Sequence, residues 1–325
     1  MLKKIWIPFL IVFGFLIYNI IVIEDNQIKK SVAFITLSEV DNETFKGFKN
    51  GMETLGWREG SNIEYIVPKV AHTIDKLDSI VEEVLYKEPD LIFVSSTPAT
   101  QAVKKALNGK KNIPVVFCPV NNPMSAGILK NMISPEGVFT GIRPPASDMK
   151  RFEWLMTLLP NTKNIIIPFT PQDDSSLSSR KDIIKASKEY DVNITQIAWG
   201  DDLTIKQFLD SINNMKIDSI LLPRDSKVEV EIEEFSKFTI KNRLSLCVPS
   251  YQQVQKGALF AFGFIHFELG YEASQYAHKI LKGVSVSDLP VKFGDAHLVL
   301  NKRVADKIGV EFSENTETYA KKIFK

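Results

Sequence analysis

From Ser31 onward, short runs of β-branched and aromatic residues alternate with stretches whose apolar positions recur at helical spacing. That alternation is the pattern of a parallel sheet wrapped by helices. Strands are predicted over Ser31–Leu37, Ile63–Val67, Leu91–Ser95, Val115–Val120 and Phe139–Arg143, with helices over Thr44–Leu55, Ile74–Tyr86 and Ala99–Leu107 between them. Gly56, Pro89 and Gly109 punctuate the helix ends. After Leu158-Leu159-Pro160-Asn161 a second series starts, with strands over Asn164–Thr170, Asn193–Ala198, Ser219–Pro223 and Leu244–Val248 and helices over Ser175–Tyr190, Thr204–Met215 and Val228–Lys241. The two series run in the same order, and even their fourth strands are alike, Val116-Phe117-Cys118-Pro119 against Leu246-Cys247-Val248-Pro249. This predicts two related α/β lobes, each Rossmann-like.

The rest of the chain ties the lobes together. An extended run over Ala258–Phe264 leads into a helix over Phe267–Leu281, followed by a strand near His297–Leu300 and a helix over Lys302–Ile308. The expected division is 29–142 with 266–325 as the first lobe and 143–265 as the second. The polypeptide then crosses between lobes several times, and with no Gly/Ser/Pro-rich linker the crossings make a hinge and not a loose tether.

The N-terminus has a different pattern. Lys3 and Lys4 precede an uncharged apolar run from Ile5 to Ile23, and Glu24-Asp25 follow it. At ~1.5 Å rise per residue this run is roughly as long as the bilayer hydrocarbon is thick. The flanking charges orient the remainder outside the cytoplasm. Residues 1–27 are therefore expected to be an uncleaved signal anchor, a single transmembrane helix. No small-residue cleavage motif or following cysteine points to a cleaved or lipid-anchored form.

Charge and cysteine content narrow the function. Lys+Arg number 40 against 39 Asp+Glu, a net charge of +1, so no overall field favours nucleic acid. Cys118 and Cys247 sit inside apolar runs and read as buried thiols. G-x-S-x-G, G-x-x-x-x-G-K-[ST] and post-strand G-x-G-x-x-G signatures are missing. His72, His266, His278 and His297 have no metal-ligand spacing and read as surface or structural residues. No catalytic residue, metal or cofactor is expected.

Ligands of open α/β sheets lie beyond the carboxyl ends of the strands. In the first series those positions hold Ser38, then Ser95 to Thr100 with Ser96, Thr97, Ala99 and Thr100, then Asn121 and Asn122. In the second they hold Thr170, Asp174 and Ser175, then Arg224 and Asp225, then Tyr251. The stretch Ser95–Thr100 ends a buried strand in hydroxyls, and Pro98 suits the first turn of a helix, so its free N–H groups can face a carboxylate. Ser96 or Thr97 also suffices as a helix cap alone. At the matching place Asp225 can accept an ammonium while Arg224 grips a carboxylate; equally, Asp225 can cap a helix with Arg224 in solvent. Phe260, Phe262, Phe264 and Phe267 read mainly as core, with Phe264 the candidate for ligand contact. Asp173-Asp174 and Asp201-Asp202 read as helix-terminal acids.

From about Ser31 to Ile308 the chain resembles the ABC-transporter substrate-binding family that includes tryptophan- and tyrosine-binding members. The matching stretches include Gly47-Phe48-Lys49-Asn50-Gly51, Thr97-Pro98-Ala99, Val120-Asn121-Asn122-Pro123, Phe139-Thr140-Gly141, Lys256-Gly257-Ala258, Leu269-Gly270 and Ile280-Leu281-Lys282-Gly283. The resemblance implies a periplasmic-binding-protein type I-like fold, ligand capture in the interlobe cleft with Thr140 near it, and delivery to an ABC permease with its ATPase. Arg224 stands where a small polar residue is common in that family, which leaves the solute open. The reading that follows is an extracytoplasmic, membrane-tethered binder of a small polar metabolite, an amino acid or related carboxylate. Alternatives are a tethered sensor domain that reports to a membrane signalling partner, and a membrane-anchored glycosyltransferase-like enzyme.

Overall fold

The computed structural model describes residues 29–108, 112–200 and 203–325. The expected N-terminal anchor, Gly109 and the pair Asp201-Asp202 lie outside them. Among the described residues no helix is long and apolar enough to cross a membrane.

The first lobe is built from β1 (Lys30–Ile35), α1 (Asn42–Thr54), β2 (Ile63–Ile66), α2 (Leu77–Tyr86), β3 (Leu91–Val94), α3 (Thr97–Leu107), β4 (Val115–Phe117) and β5 (Phe139–Arg143). Helix α10 (His266–Leu281) and strand β11 (Lys292–Phe293) join it from far along the chain. Its sheet is parallel, in the order β11-β5-β4-β3-β1-β2. Helices cover both faces, so successive strand residues enter different cores. Ala33 and Ile35 pack on one side, Val32 and Phe34 on the other.

The second lobe contains α4 (Asp148–Leu158), β6 (Asn164–Phe169), α5 (Asp174–Ser187), β7 (Asn193–Ala198), α6 (Ile205–Ile212) and β8 (Ser219–Leu221). It continues with α7 (Ser226–Val230), α8 (Ile232–Lys241), β9 (Ser245–Ser250), α9 (Tyr251–Gln255) and β10 (Phe260–Phe264). Strand β12 (His297–Asn301), α11 (Lys302–Ile308), α12 (Glu314–Tyr319) and β13 (Ala320–Phe324) end the chain. The sheet order is β13-β12-β10-β9-β8-β6-β7.

This corrects the expected division at one place. Residues 297–325 belong to the second lobe, because β12 pairs antiparallel with β10 (Phe260 opposite Leu300) and buries Leu298, Val299 and Leu300 in the two second-lobe cores. Only α10 and β11 return to the first lobe, so the chain changes lobes near residues 144–147, 265 and 294–296. Helix α4 is a further element that the sequence reading did not include. The expected helix over 228–241 is two, broken at Glu231.

Helices α1 and α10 pack with almost no side-chain spacing. A Cβ on Gly47 would lie 2.0 Å from the Phe267 carbonyl oxygen, and one on Gly270 1.8 Å from that of Thr44. This close approach brings the start of α10, a crossing point, against the first turn of α1. It fixes where His266 stands.

Candidate functional site

The lobes meet over a cavity of about 40 Å³. The first lobe lines it with Asp41, Ser96, Thr97, Pro119 and Asn121. The second adds Ser175, Arg224, Asp225, Ser226, Glu229, Pro249 and Gln253, and the crossings add Pro144, Phe264 and His266. The lobes touch: Asn121 Nδ2 donates to the Ser175 carbonyl at 3.2 Å and Gln101 Nε2 to Asp174 at 2.9 Å.

On the first-lobe wall, α3 points its N-terminus at the cavity. Ser96 caps it, Oγ accepting from the Ala99 amide at 3.4 Å, while the Ser96 carbonyl accepts from the Thr100 amide and hydroxyl. Ser96 does so at φ 80, ψ 151, a conformation that is nearly exclusive to glycine and costs on the order of 1–3 kcal/mol. Thr97, 3% exposed, follows and lines the cavity.

Beside it, bridging from the first lobe to Glu229 of the second, lies a cluster that the sequence reading missed. His266 is 1% exposed. Its Nδ1 is 2.8 Å from Thr44 Oγ1 and 3.9 Å from Asp41 Oδ1, and its Nε2 is 3.3 Å from Glu229 Oε1. Asp41 also accepts from Thr36 Oγ1 at 2.5 Å. Burial pushes the Asp41 carboxyl up to about 6, the His266 charge opposing and the Glu229 charge adding to the rise. Burial works against a charged His266, but the Glu229 hydrogen bond and the Glu229 and Asp41 charges raise its pKa overall. Asp41 falls just past the loop examined after β1, and Glu229 lies one helical turn after Asp225. Extending each strand-end window by one turn would have reached both. His266 has no sequence signal of its own, since it becomes a site residue only through the packing of α10 on α1.

Of the two readings of Arg224 and Asp225, the helix cap is present for Asp225, while Arg224 is buried and not in solvent. Asp225 caps α7 through the Lys227 and Val228 amides, both at 3.0 Å, and accepts from the Thr170 amide and hydroxyl. Arg224 bonds Asp148 and donates to the Pro145 carbonyl at 2.7 Å. Asp148, fully buried, also accepts from Arg151 and Ser179, each at 2.6 Å. Burial, with Arg151 and Arg143 nearby, lowers the Arg224 pKa to about 10 despite Asp148. Both side chains border the cavity, but these bonds hold the hinge and the helix end. Asp173 caps α5, as expected.

Of the other expected residues, Ser96, Thr97, Asn121, Ser175 and Phe264 line the cavity, and Asp174 accepts from Gln101 across the lobes. Ser38, Ala99, Thr100 and Thr170 lie just behind it in local hydrogen bonds. Asn122 instead holds a turn through the Ser125 amide, Thr140 donates to the Leu289 carbonyl, and Tyr251 packs on Phe324. Cys118 and Cys247 are buried free thiols. Among the described residues no cluster of His, Cys, Asp and Glu has the form of a metal site.

Two α/β lobes joined by several crossings, with a helix N-terminus and buried charges at a shared cavity, define a two-lobe solute-binding protein of the periplasmic-binding-protein type. The chain belongs to the ABC transporter substrate binding protein family, whose model matches residues 31–324. That is a family of ligand binders and not of enzymes. A tyrosine-binding protein of Clostridioides difficile (strain R20291) is 26% identical over 281 residues, 86% of this chain and 80% of the relative. Among solved structures, a conserved domain protein from Vibrio cholerae superposes with TM-score 0.82 at 22% identity, covering 92% of this chain and all of that one. A Streptococcus pneumonia ABC domain in complex with L-Trp superposes at 0.79 with 19% identity, covering 91% and 100% of the two chains.

Proposed function

We propose that this chain captures a small amino acid or related amino-carboxylate outside the cytoplasm and presents it to an ABC-type permease for import. The observation that carries the reading is the convergence on one interlobe cavity of the α3 N-terminus and of the carboxylates Asp41, buried in the first lobe, and Glu229, half-buried in the second. The first suits a carboxylate and the second an ammonium. The ligands of the relatives, tyrosine and L-Trp, support the amino-acid class. Binding would draw the lobes together and expel water, in the manner of hinge closure.

The apolar run Ile5–Ile23 behind Lys3 and Lys4 favours a tethered form, so a second reading is a sensor that signals occupancy to a membrane partner. Uptake of labelled ligand that is lost on deletion of the gene separates import from sensing. The first test is a thermal-shift and calorimetric screen of the full-length chain in detergent micelles against amino acids, nucleosides, sugars and simple carboxylates. A ligand only stabilises the native state it binds. A rise of several degrees with amino acids alone is expected; a response confined to sugars or nucleosides would overturn the assignment.

A further inference from the structure

We infer that His266 and Glu229 form a proton-operated latch between the lobes, joined while the imidazole is charged and released when it loses its proton. The latch follows from which lobe carries each partner. His266 opens α10 just past the crossing at 265 and rides with the first lobe: its Nδ1 is 2.8 Å from Thr44 Oγ1, and the close contacts of Gly47 and Gly270 lock α10 onto α1. Glu229 belongs to α7 of the second lobe, and its Oε1 is 3.3 Å from His266 Nε2 on the cavity wall. Opening of the lobes therefore parts this pair. Two other bonds cross at the cavity, from Gln101 to Asp174 and from Asn121 to the Ser175 carbonyl, but their donors are amides, whose charge does not follow pH. A second histidine–glutamate pair also joins the lobes, His297 Nε2 lying 3.0 Å from Glu268 Oε2. Residues two apart on a helix point about 200° apart, so Glu268 faces away from His266, beside the crossing at 294–296, where a hinge turns with little parting. Lys321, 3.9 Å from the same carboxylate, keeps a cation there whatever the state of His297.

The surroundings set the sign. Around the ring stand Asp41 in the turn before α1, Glu43 in the first turn of α1 and Glu229 on α7. Gln252 of α9 accepts from the His266 amide at 3.4 Å, the Phe264 ring lies 4.9 Å away, and Asp225 at the α7 cap is engaged by Thr170. Cys118, just past β4, is kept protonated by burial and by the Asp41 charge and brings no charge of its own. A protonated ring gives Glu229 a charge-assisted bond. A neutral ring leaves Asp41 and Glu229 facing each other from different lobes with no cation between them. Burial lowers the His266 pKa, but the Glu229 bond and charge, followed by the Asp41 and Glu43 charges, raise it overall. Thr44 and Phe264 stay on the ring when the lobes part, so parting removes chiefly the Glu229 contribution. The ring then holds its proton more tightly in the closed form. Closure is favoured in full below the open-form value, and the gain is lost as pH rises through the closed-form value, above the ordinary imidazole value near 6.5. Asp41, pushed up to about 6 by burial, with the His266 charge opposing and the Glu229 charge adding, works in the same direction, because on ionising it repels Glu229 across the cleft.

The test reads lobe separation in the full-length chain in detergent micelles, with no solute added, as the distance between nitroxides on Lys105→Cys in α3 and Lys181→Cys in α5, measured by double electron–electron resonance. Both positions are exposed, while Cys118 and Cys247 are 0% exposed and stay unlabelled. The ratio of the shorter-distance to the longer-distance population should fall by about threefold or more from about pH 5.5 to about pH 8.5. Glu229→Gln, which keeps size and removes the charge, should flatten this dependence, and His297→Gln should retain it. A distance distribution that does not move with pH overturns the latch, as does a Glu229→Gln variant that keeps the parent's dependence or a His297→Gln variant that loses it. Because no solute is added, such a failure leaves the reading of the cleft as an amino-acid site untouched.

Discussion

Replacing Asp148 by asparagine should be among the most damaging single changes in the second lobe. The carboxylate is fully buried and accepts from Arg151, Arg224 and Ser179. Asparagine keeps the volume but leaves two buried guanidiniums without a counter-charge, and its amide N–H groups meet other donors. Breaking a buried pair by removing one partner costs about 3–5 kcal/mol. At about 2–4 °C per kcal/mol for a unit of 150–250 residues, the transition of the second lobe should fall by roughly 6–20 °C. Calorimetric melting of the parent and Asp148→Asn measures this directly. Ser179→Ala, which removes one hydrogen bond to the same charge, should cost less, about 1.5–3 kcal/mol. Replacing Asp148, Arg151 and Arg224 together by leucine or methionine should recover much of the loss, because apolar substitutes for a buried charged group are often neutral or better. A drop below about 3 °C in Asp148→Asn would refute the assignment of Asp148 as the shared counter-charge of two buried guanidiniums. Because Arg224 also holds the Pro145 carbonyl in the first crossing, the same variant should speed ligand release by loosening the hinge.

Three further outcomes are expected. Ser96→Gly relieves about 1–3 kcal/mol of backbone strain while losing only a few tenths as a cap, so urea denaturation should show net stabilisation near 1 kcal/mol; destabilisation would mean that the cap outweighs the strain. Gly270→Ala drives a methyl to 1.8 Å from the Thr44 carbonyl oxygen, forcing α1 and α10 apart, and should cost about 1–3 kcal/mol or more, with weakened ligand binding as Thr44 and His266 separate; urea denaturation showing a loss below about 0.5 kcal/mol would refute the tight helix contact. Stability should also fall as pH rises from 5 to 8. Asp41, at about 6 when folded, binds its proton more tightly in the native state, so between its unfolded value near 4 and 6 each increment of pH removes stability, up to about 3 kcal/mol in all. His266, also raised, adds a loss that continues above its unfolded value near 6.5. Asp90, whose partial burial is outweighed by the Lys30 and Ser31 bonds, acts with the opposite sign but only below about pH 4. A melting temperature that rises from pH 5 to 8, or a slope unchanged in Asp41→Asn, would contradict this.

Strand and helix order was legible along most of the chain because each element must bury one face or both, and that demand is written locally as period two or as helical spacing. Ser96, Thr97 and Asn121 were reachable for the same reason, since the carboxyl ends of parallel strands all open on one edge of the sheet. Which sheet the last strands join was not written locally. His297–Leu300 is a short apolar run that either lobe accepts, and only its antiparallel partner in β10 decides. The charges were also beyond local reading. The cap that Asp225 makes was one of two local readings, but the further partners, Asp148 for Arg224 and Thr170 for Asp225, lie 76 and 55 residues away. His266, Asp41 and Glu229 looked ordinary because they come from α10, the end of the β1 loop and α7, and meet only when two glycine-lined helices pack and the lobes close. The sequence alone thus determined the layers and the sheet edge on which the cavity opens. The tertiary structure decided which charged groups pair within the protein and which come together on the cavity, because pairing between buried charges depends on distances that residue order does not specify.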